Sequence, residues 1–344
     1  MYIGLQVARG IAALLVVLLH ATTGANTFYS ENIFNNFWKF GHIGVDFFFV
    51  LSGFIIFYVH NDDTPNRNSI TTYIKKRLIR IYPPYLLITI LLILIYNFFP
   101  NLSANNRNIS IFSSLTLIPI TNYVPALNVA WTLMHEMLFY CIFILFYFHK
   151  KVFIVFLTIW FFFISVGSFF NYDGLFRTFF LNAHNIEFMF GIISALVVKK
   201  KKASSAYLSF GIILLFTYIF FFYDIFSSTF TTDNFKVRIY LGITFMLITI
   251  GLCSIEKKIK YPRFFVNIGT ASYSIYLLHG PTLSFLNRIG EKIVNINYLS
   301  DKILFVLIVS IAVMMSVAYY VFFEKPMLLF LKNHWLINKK MELE

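Results

Sequence analysis

The stretch Leu5-Gln-Val-Ala-Arg9-Gly-Ile-Ala-Ala-Leu-Leu-Val-Val-Leu-Leu-His20-Ala-Thr22 is an apolar run interrupted by two ionisable groups. At a helical rise of about 1.5 Å per residue, a run of this length crosses most of a ~30 Å hydrocarbon core. Arg9 and His20 are the residues that lipid should reject. Eleven positions correspond to about 1100° of helix, three turns and roughly 20° more, so both share one face, about 16 Å apart. An ionisable group inside a spanning helix is costly and marks a functional position by default. The plainer reading has Arg9 reaching back to the near interface and His20 closing the far end.

Apolar runs of similar length recur along the whole chain. Of the 344 residues 59% are hydrophobic, 20% aromatic and only 12% charged, far from a soluble globular profile. The fold class expected is an all-α polytopic integral membrane protein. The even spread of runs predicts one membrane domain, residues 1–331, followed by a short cytoplasmic tail, residues 332–344. A net charge of +13 is compatible with nucleic-acid binding, but the basic residues sit in short clusters between apolar runs. That is how topology determinants are distributed, and it argues against a nucleic-acid partner. Cys141 and Cys253 fall inside apolar runs, so no disulfide framework is implied. Arg9 lies too deep for the charged region of a signal peptide, and a second run follows at once, so the first run reads as an uncleaved helix.

About ten spans are expected, at 5–22, 43–60, 81–99, 131–148, 152–170, 178–198, 205–223, 237–255, 264–286 and 302–323. With the N-terminus inside, the outer segments hold only Lys39, Arg107, Arg177, Lys236, Arg238, Arg288, Lys292 and Lys302 of the 28 basic residues. The inner segments hold the other 20, and the alternation persists loop by loop, which puts both termini in the cytoplasm. The longest loop, residues 100–130, is rich in Asn and Ser but contains Ile111-Phe112 and Leu115-Thr-Leu-Ile118. It is either a plain solvated loop or one that dips back to cover the outer mouth.

The ionisable residues separate by depth into two groups. Near the inner side lie Arg9, the run Lys75-Lys76-Arg77-Leu-Ile-Arg80, and Glu324-Lys325. Arg77 and Arg80 are three apart, hence on one helical face, and offer forked donors that suit phosphate oxygens. A basic run at a membrane edge also serves as a topology signal or an anionic-lipid contact. Toward the outer side lie His20, Asp46, His135, Glu136, His184, Glu187 and His279. Facing inward, they would line a polar cavity in which a carboxylate fixes an imidazole's tautomer, as a general base needs. The spacing leaves open which His meets which carboxylate. No His-Glu-x-x-His or similar short ligand spacing is present, so no metal site is expected. Gly41, Gly44, Gly53 and Ser52 in the second run suit close helix packing.

Several motifs, in order, resemble the membrane-bound acyltransferase family 3. Arg9 and His20 have the arginine–ten residues–histidine spacing of that family's first helix. Gly44-Val-Asp-Phe-Phe-Phe-Val-Leu-Ser-Gly-Phe54 is similar to its second-helix motif, and Lys76-Arg77-Leu-Ile-Arg80-Ile-Tyr-Pro83 to its arginine-rich third-helix entry. Trp131-Thr-Leu-Met-His-Glu136-Met-Leu-Phe-Tyr140, Phe188-Met-Phe-Gly191, Ser272-Tyr-Ser-Ile-Tyr-Leu-Leu-His279 and Phe323-Glu-Lys-Pro326 resemble later family segments. The wording looks closest to the exopolysaccharide branch that acetylates succinoglycan-like polymers.

The resemblance implies a ten-helix domain in a bacterial cytoplasmic membrane that moves an acyl group, usually acetyl, from cytoplasmic acyl-coenzyme A to a sugar hydroxyl. Acetyl-CoA would be the donor co-substrate, and a polysaccharide or lipid-linked glycan the acceptor, with membrane lipids around the chain. Arg9, Arg77 and Arg80 would then meet coenzyme phosphates, His20 would act as base or acyl relay, and Glu136 would orient it. Many family members carry a C-terminal esterase-like domain, whereas this chain ends shortly after the tenth span. Either the membrane domain transfers directly or a separate partner receives the acyl group. A proton-coupled transporter or lipid-linked sugar carrier would use the same residue types, but no repeated pair of broken helices supports it. A purely structural subunit of a glycan-export complex explains neither Arg9 nor His20.

Overall fold

The structure is a computed structural model that describes residues 2–29, 32–102, 108–170, 174–222, 234–294 and 300–336. Among these residues it is helical apart from short turns and one isolated bridge between Ile109 and Val124. The helices are α1 (Ile3–Phe28), α2 (Ile43–His60), α3 (Arg67–Phe98), α4 (Ile111–Thr116), α5 (Ala130–Phe148), α6 (Lys150–Gly167) and α7 (Asn185–Lys199). They continue as α8 (Ser205–Thr217), α9 (Phe235–Ile255), α10 (Arg263–Thr270), α11 (Ser272–Val294), α12 (Asp301–Tyr319) and α13 (Lys325–Leu336).

Eight helical stretches among the described residues are long and apolar enough to cross a bilayer. The chain is a polytopic all-α membrane protein. Two of the ten expected spans fall short of that standard for different reasons. Ser205–Phe221 is apolar but brief, and α11 is long but carries Ser272, Ser274, His279, Asn287 and Arg288. Two expected spans are interrupted. The run at 178–198 breaks at 181–184 before α7 starts, and that at 264–286 breaks at Ala271 between α10 and α11. In contrast, α3 starts at Arg67, well before the expected 81, because Asn66 caps it by accepting from the Ser69 amide at 2.8 Å. Helix α13 carries the chain past residue 331, and residues 337–344 of the expected tail lie outside the described residues, as does Arg107.

The chain divides into two compact units, with the division falling inside α1 after Val16. The first comprises Met1–Val16, Phe40–Asp63 and His149–Thr270. Its centre is α2, buried on nearly every side and packed most extensively on α7. Gly53 of α2 faces the Phe188 carbonyl and Gly191 of α7 faces the Val50 carbonyl, a reciprocal arrangement that lets the two backbones touch. Helix α9 packs on α8, α7 and α2. Helix α6 buries only the stripe Phe153, Trp160, Ile164 and Gly167 and exposes Ile154, Phe162 and Phe163, apolar surface suited to lipid. At the start of α1 the amides of Ile3 and Gly4 donate to the two carboxylate oxygens of Glu256, at 2.6 and 3.0 Å, which satisfies otherwise orphaned donors. Lys199 pairs with Asp62 in the turn after α2 and lowers that carboxyl below its usual range.

The second unit comprises Val17–Lys39, Thr64–Phe148 and Ala271–Glu344. Here α11 packs on α12, and α3 meets α5, α11 and α13. Tyrosine hydroxyls tie these elements to backbone carbonyls. Tyr73 donates to Tyr140 O at 3.1 Å, Tyr273 to Ile81 O at 3.0 Å and Tyr319 to Pro84 O at 2.9 Å. The long loop is folded back and anchored, since Tyr85 donates to Ser114 O at 2.6 Å and Tyr82 to Thr116 O at 2.7 Å.

Candidate active site

The second unit forms an open-mouthed cavity of about 610 Å3 beside His20. Four segments build its wall, with Leu92 and Tyr96 coming from α3. The end of α1 supplies His20, Thr23, Gly24, Thr27 and Phe28, and α11 supplies Gly280, Pro281, Ser284, Asn287 and Arg288. The returning loop supplies Leu102 and Ala126 through Val129, so it does cover this site. The lining combines an imidazole and a guanidinium with neutral hydroxyls, amides, the rings of Phe28 and Tyr96, and aliphatic side chains such as Leu92, Leu127, Val129 and Leu283. Arg288 is held by the wall itself, its guanidinium carbon 5.8 Å from the Phe28 ring and one nitrogen 3.4 Å from Leu102 O. Neutral hydrogen-bonding groups with a few aromatic faces suit an uncharged, hydroxyl-rich molecule, and the volume is that of a small-molecule site.

His20 is half-buried, and its ring meets that of His279 edge-on, with centroids 4.8 Å apart and planes at 61°. The His279 ring lies 5.7 Å from Tyr276, whose hydroxyl is 2.9 Å from Thr132 Oγ1 on α5. Tyr276 in turn interacts electrostatically with Glu136 on α5. A series of side chains from α1, α11 and α5 therefore stands behind the cavity wall.

Glu136 belongs to a second cluster in the same unit. The Tyr140 hydroxyl donates to Glu136 Oε1 one turn earlier on α5. The Arg77 guanidinium carbon lies 5.7 Å from the Tyr73 ring and 5.6 Å from the Tyr140 ring, while that of Arg80 lies 5.9 Å from the Tyr273 ring. Tyr140 interacts electrostatically with Glu136, Arg77 and Arg80, and Tyr273 with Glu136, Glu324 and Arg80. Buried Glu324 accepts from the Ser274 hydroxyl. The helical spacing of Arg77 and Arg80 is confirmed on α3, and aromatic faces aim both guanidinium groups while leaving them partly exposed. The tyrosines that do this carry no charge signal in the sequence, although Tyr140 and Tyr273 lie inside motif stretches quoted above.

Buried His135 also lies in the second unit, its ring 5.9 Å from that of Trp131, whereas Arg9, Asp46, His184 and Glu187 lie in the first. Arg9 is half-buried on the first part of α1. Asp46, fully buried on α2, accepts from Arg238 Nη1 of α9, and its other oxygen is 3.7 Å from His42 Nδ1. Fully buried Glu187 interacts electrostatically with both Asp46 and Arg238. Arg238 was expected among the outer loop cations and is corrected here to a buried helical residue, 4% exposed, serving as counter-charge to Asp46. The signal available was an arginine one position inside an apolar run. His184 sits at the start of α7 rather than within a helix, with Nδ1 2.8 Å from Asn182 Oδ1 and its ring 5.5 Å from Phe49. The seven ionisable residues expected in one outer layer are thus distributed over two units, with His20, His135, Glu136 and His279 in the second.

The sequence profile of the acyltransferase domain, acyltransferase family 3, matches residues 2–322. No curated protein and no solved structure matches the chain. Coverage of nearly the whole length places the chain in that family of membrane acyltransferases.

Proposed function

We propose that this membrane acyltransferase transfers an acetyl group from cytoplasmic acetyl-CoA to a hydroxyl of a cell-surface or exported polysaccharide, or of its lipid-linked precursor, in a bacterial cytoplasmic membrane. The observation that carries this reading is the placement of His20 in the wall of a 610 Å3 cavity whose largely apolar lining is studded with neutral hydroxyls, side-chain amides and two aromatic rings. The side chains of Thr23, Thr27, Asn128, Ser284 and Asn287 offer partners to sugar hydroxyls, and the rings of Phe28 and Tyr96 offer a surface to a sugar face. Coenzyme phosphates call for guanidinium groups, and Arg77 and Arg80, beside tyrosine rings on one face of α3, supply two of them.

In the reaction, a sugar hydroxyl in the cavity attacks the thioester carbonyl carbon while a His20 ring nitrogen takes the hydroxyl proton. The tetrahedral adduct collapses, the C–S bond breaks, and the thiolate leaves with the proton returned by His20. One C–O bond replaces one C–S bond, and the imidazole ends neutral as it began. This route places His20 as general base, and succinoglycan-like acceptors are the polymer class closest to the sequence resemblance.

The test is His20→Ala in the full-length chain, with glycan acetate read by mass spectrometry in deletion and complemented strains. Loss of a general base predicts a fall of about 10²–10⁴-fold in transfer at normal membrane insertion. Wild-type acetate on the glycan in that variant would refute the proposal. Substrate movement across proteoliposomes without acetyl-CoA would favour a carrier instead.

A further inference from the structure

His279 is 1% exposed, and its two ring nitrogens stand in different circumstances. Nδ1 lies 3.2 Å from Ile275 O. A carbonyl oxygen only accepts, so Nδ1 carries the hydrogen and, in the neutral ring, Nε2 presents a bare lone pair. Nε2 is buried and, among the described residues, has no hydrogen-bond partner. A buried acceptor left unmade is costly, and each such group calls for an explanation. The ring that His279 meets edge-on at 4.8 Å is His20, the imidazole of the cavity wall. Packing alone does not account for this arrangement, since a phenylalanine would fill the same space without a buried, unpaired nitrogen.

The surroundings hold His279 in place. Tyr276, one turn earlier, is tied to Thr132 at 2.9 Å, and Thr282 Oγ1 donates to the carbonyls of Leu278 and His279 at 2.7 and 3.1 Å. A Cβ on Gly280 would meet nothing within 4 Å, so the wall beside His279 is open. The terminal torsion of an imidazole is broad, so a turn of the His20 ring about that torsion is the motion that would aim an N–H at Nε2 across the 4.8 Å between the ring centroids.

We propose that His279 is the positioning residue for His20: its Nε2 accepts the N–H of the His20 ring and so presents the other His20 nitrogen, as a lone pair, to the acceptor hydroxyl. The inference rests on the acyl-transfer reading for its catalytic consequence but not for its geometry. When His20 takes the hydroxyl proton, its ring becomes a cation whose second N–H still points at Nε2, which stabilises that charge in a buried setting. The same hydrogen bond persists while the proton passes from His20 to the leaving thiolate, and His279 itself gains and loses no proton.

The test uses the full chain in lipid nanodiscs and two readouts. One is carbethoxylation of His20 by diethyl pyrocarbonate, followed by peptide mass spectrometry, which needs neither donor nor acceptor. The other is transfer from radiolabelled acetyl-CoA to a cell-envelope glycan fraction. His279→Phe keeps the ring and removes the acceptor, His279→Asn places its amide too short to replace Nε2, and His279→Gln restores an acceptor oxygen near that position. His279→Phe and His279→Asn are expected to slow His20 modification and kcat by about 10–100-fold at unchanged KM, the range for losing a group that orients an imidazole. His279→Gln should recover much of both. Wild-type His20 reactivity in His279→Phe, or in His279→Asn where the first variant does not fold, overturns the inference, as does equal loss in Asn and Gln. His20→Ala serves as the separate control. If transfer survives it, the acyl-transfer reading fails, while the carbethoxylation readout still judges the role of His279.

Discussion

Tyr140 donates its hydroxyl hydrogen to Glu136 one helical turn earlier, and the same ring lies 5.6 Å from the Arg77 guanidinium carbon. One residue thereby links the carboxylate of the tryptophan-led motif on α5 to the arginine pair on α3. The phenol supplies two separable interactions, a hydrogen bond through its oxygen and a cation–π contact through its ring.

Tyr140→Phe keeps the ring and is expected to leave KM for acetyl-CoA near wild type, whereas Tyr140→Ala removes one of the two rings that flank Arg77 and raises it. A cation–π contact worth about 0.5–2 kcal/mol corresponds to a rise of roughly 2- to 30-fold. Arg77→Met should exceed that rise, and Arg77→Lys should recover little of it because an ammonium lacks the planar fork. Steady-state kinetics against acetyl-CoA concentration decide it, and identical KM values for the Phe and Ala variants would contradict the assignment.

Ser284 lines the cavity and is uncharged, so Ser284→Phe fills space without removing a charge. Acceptor kcat/KM is expected to fall at least about tenfold, and KM for acetyl-CoA to stay unchanged, if the cavity holds the sugar. A parallel loss for both substrates would instead mean that the donor shares this chamber.

The buried pair Asp46–Arg238 predicts a strongly non-additive stability cycle. Asp46→Asn or Arg238→Met alone leaves a charge in a buried site and should cost about 3–5 kcal/mol. The double variant should cost clearly less than the sum of the two. Unfolding in lipid–detergent micelles measures this, and additive losses would show that the two charges are not coupled.

At the α2–α7 crossing a Cβ on Gly191 would lie 2.7 Å from the Phe54 nitrogen and closer still to the Val50 carbonyl oxygen. Neither neighbour is a flexible side chain, so Gly191→Ala must separate the helices. A loss of about 1–3 kcal/mol is expected, and Gly191→Leu should lower the yield of folded protein further. Size-exclusion profiles and thermal melts report both, and a wild-type melt for Gly191→Leu would argue against this contact.

Much of the fold was legible because hydrophobic length is a local property. The span expected at 43–60 is α2, and that at 237–255 differs from α9 only at its start. The breaks at 181–184 and Ala271 were not legible. Leu181, Asn182, Ala183 and His184 contain no proline or glycine, and Asn182 ends the helical path by turning its side chain to the His184 backbone amide at 3.0 Å. Of the site, the ionisable candidates were legible because charge in an apolar run is conspicuous. Thr23, Asn128, Ser284 and Asn287 were not, since neutral polar residues occur throughout such chains and only their convergence distinguishes them.

The sequence by itself determined that the chain is a helical membrane protein, that Arg9 and His20 share a helix, and that Arg77 and Arg80 share a face. These follow from composition and from the 3.6-residue period, which act within one element. Tertiary structure alone decided that His20 meets His279, that Glu136 joins the arginines through Tyr140, and that Arg238 is the buried partner of Asp46. Those pairings span 259 positions for the histidines and 192 for Asp46 and Arg238. They depend on which helix faces pack together, and packing is a property of the folded chain rather than of any one segment.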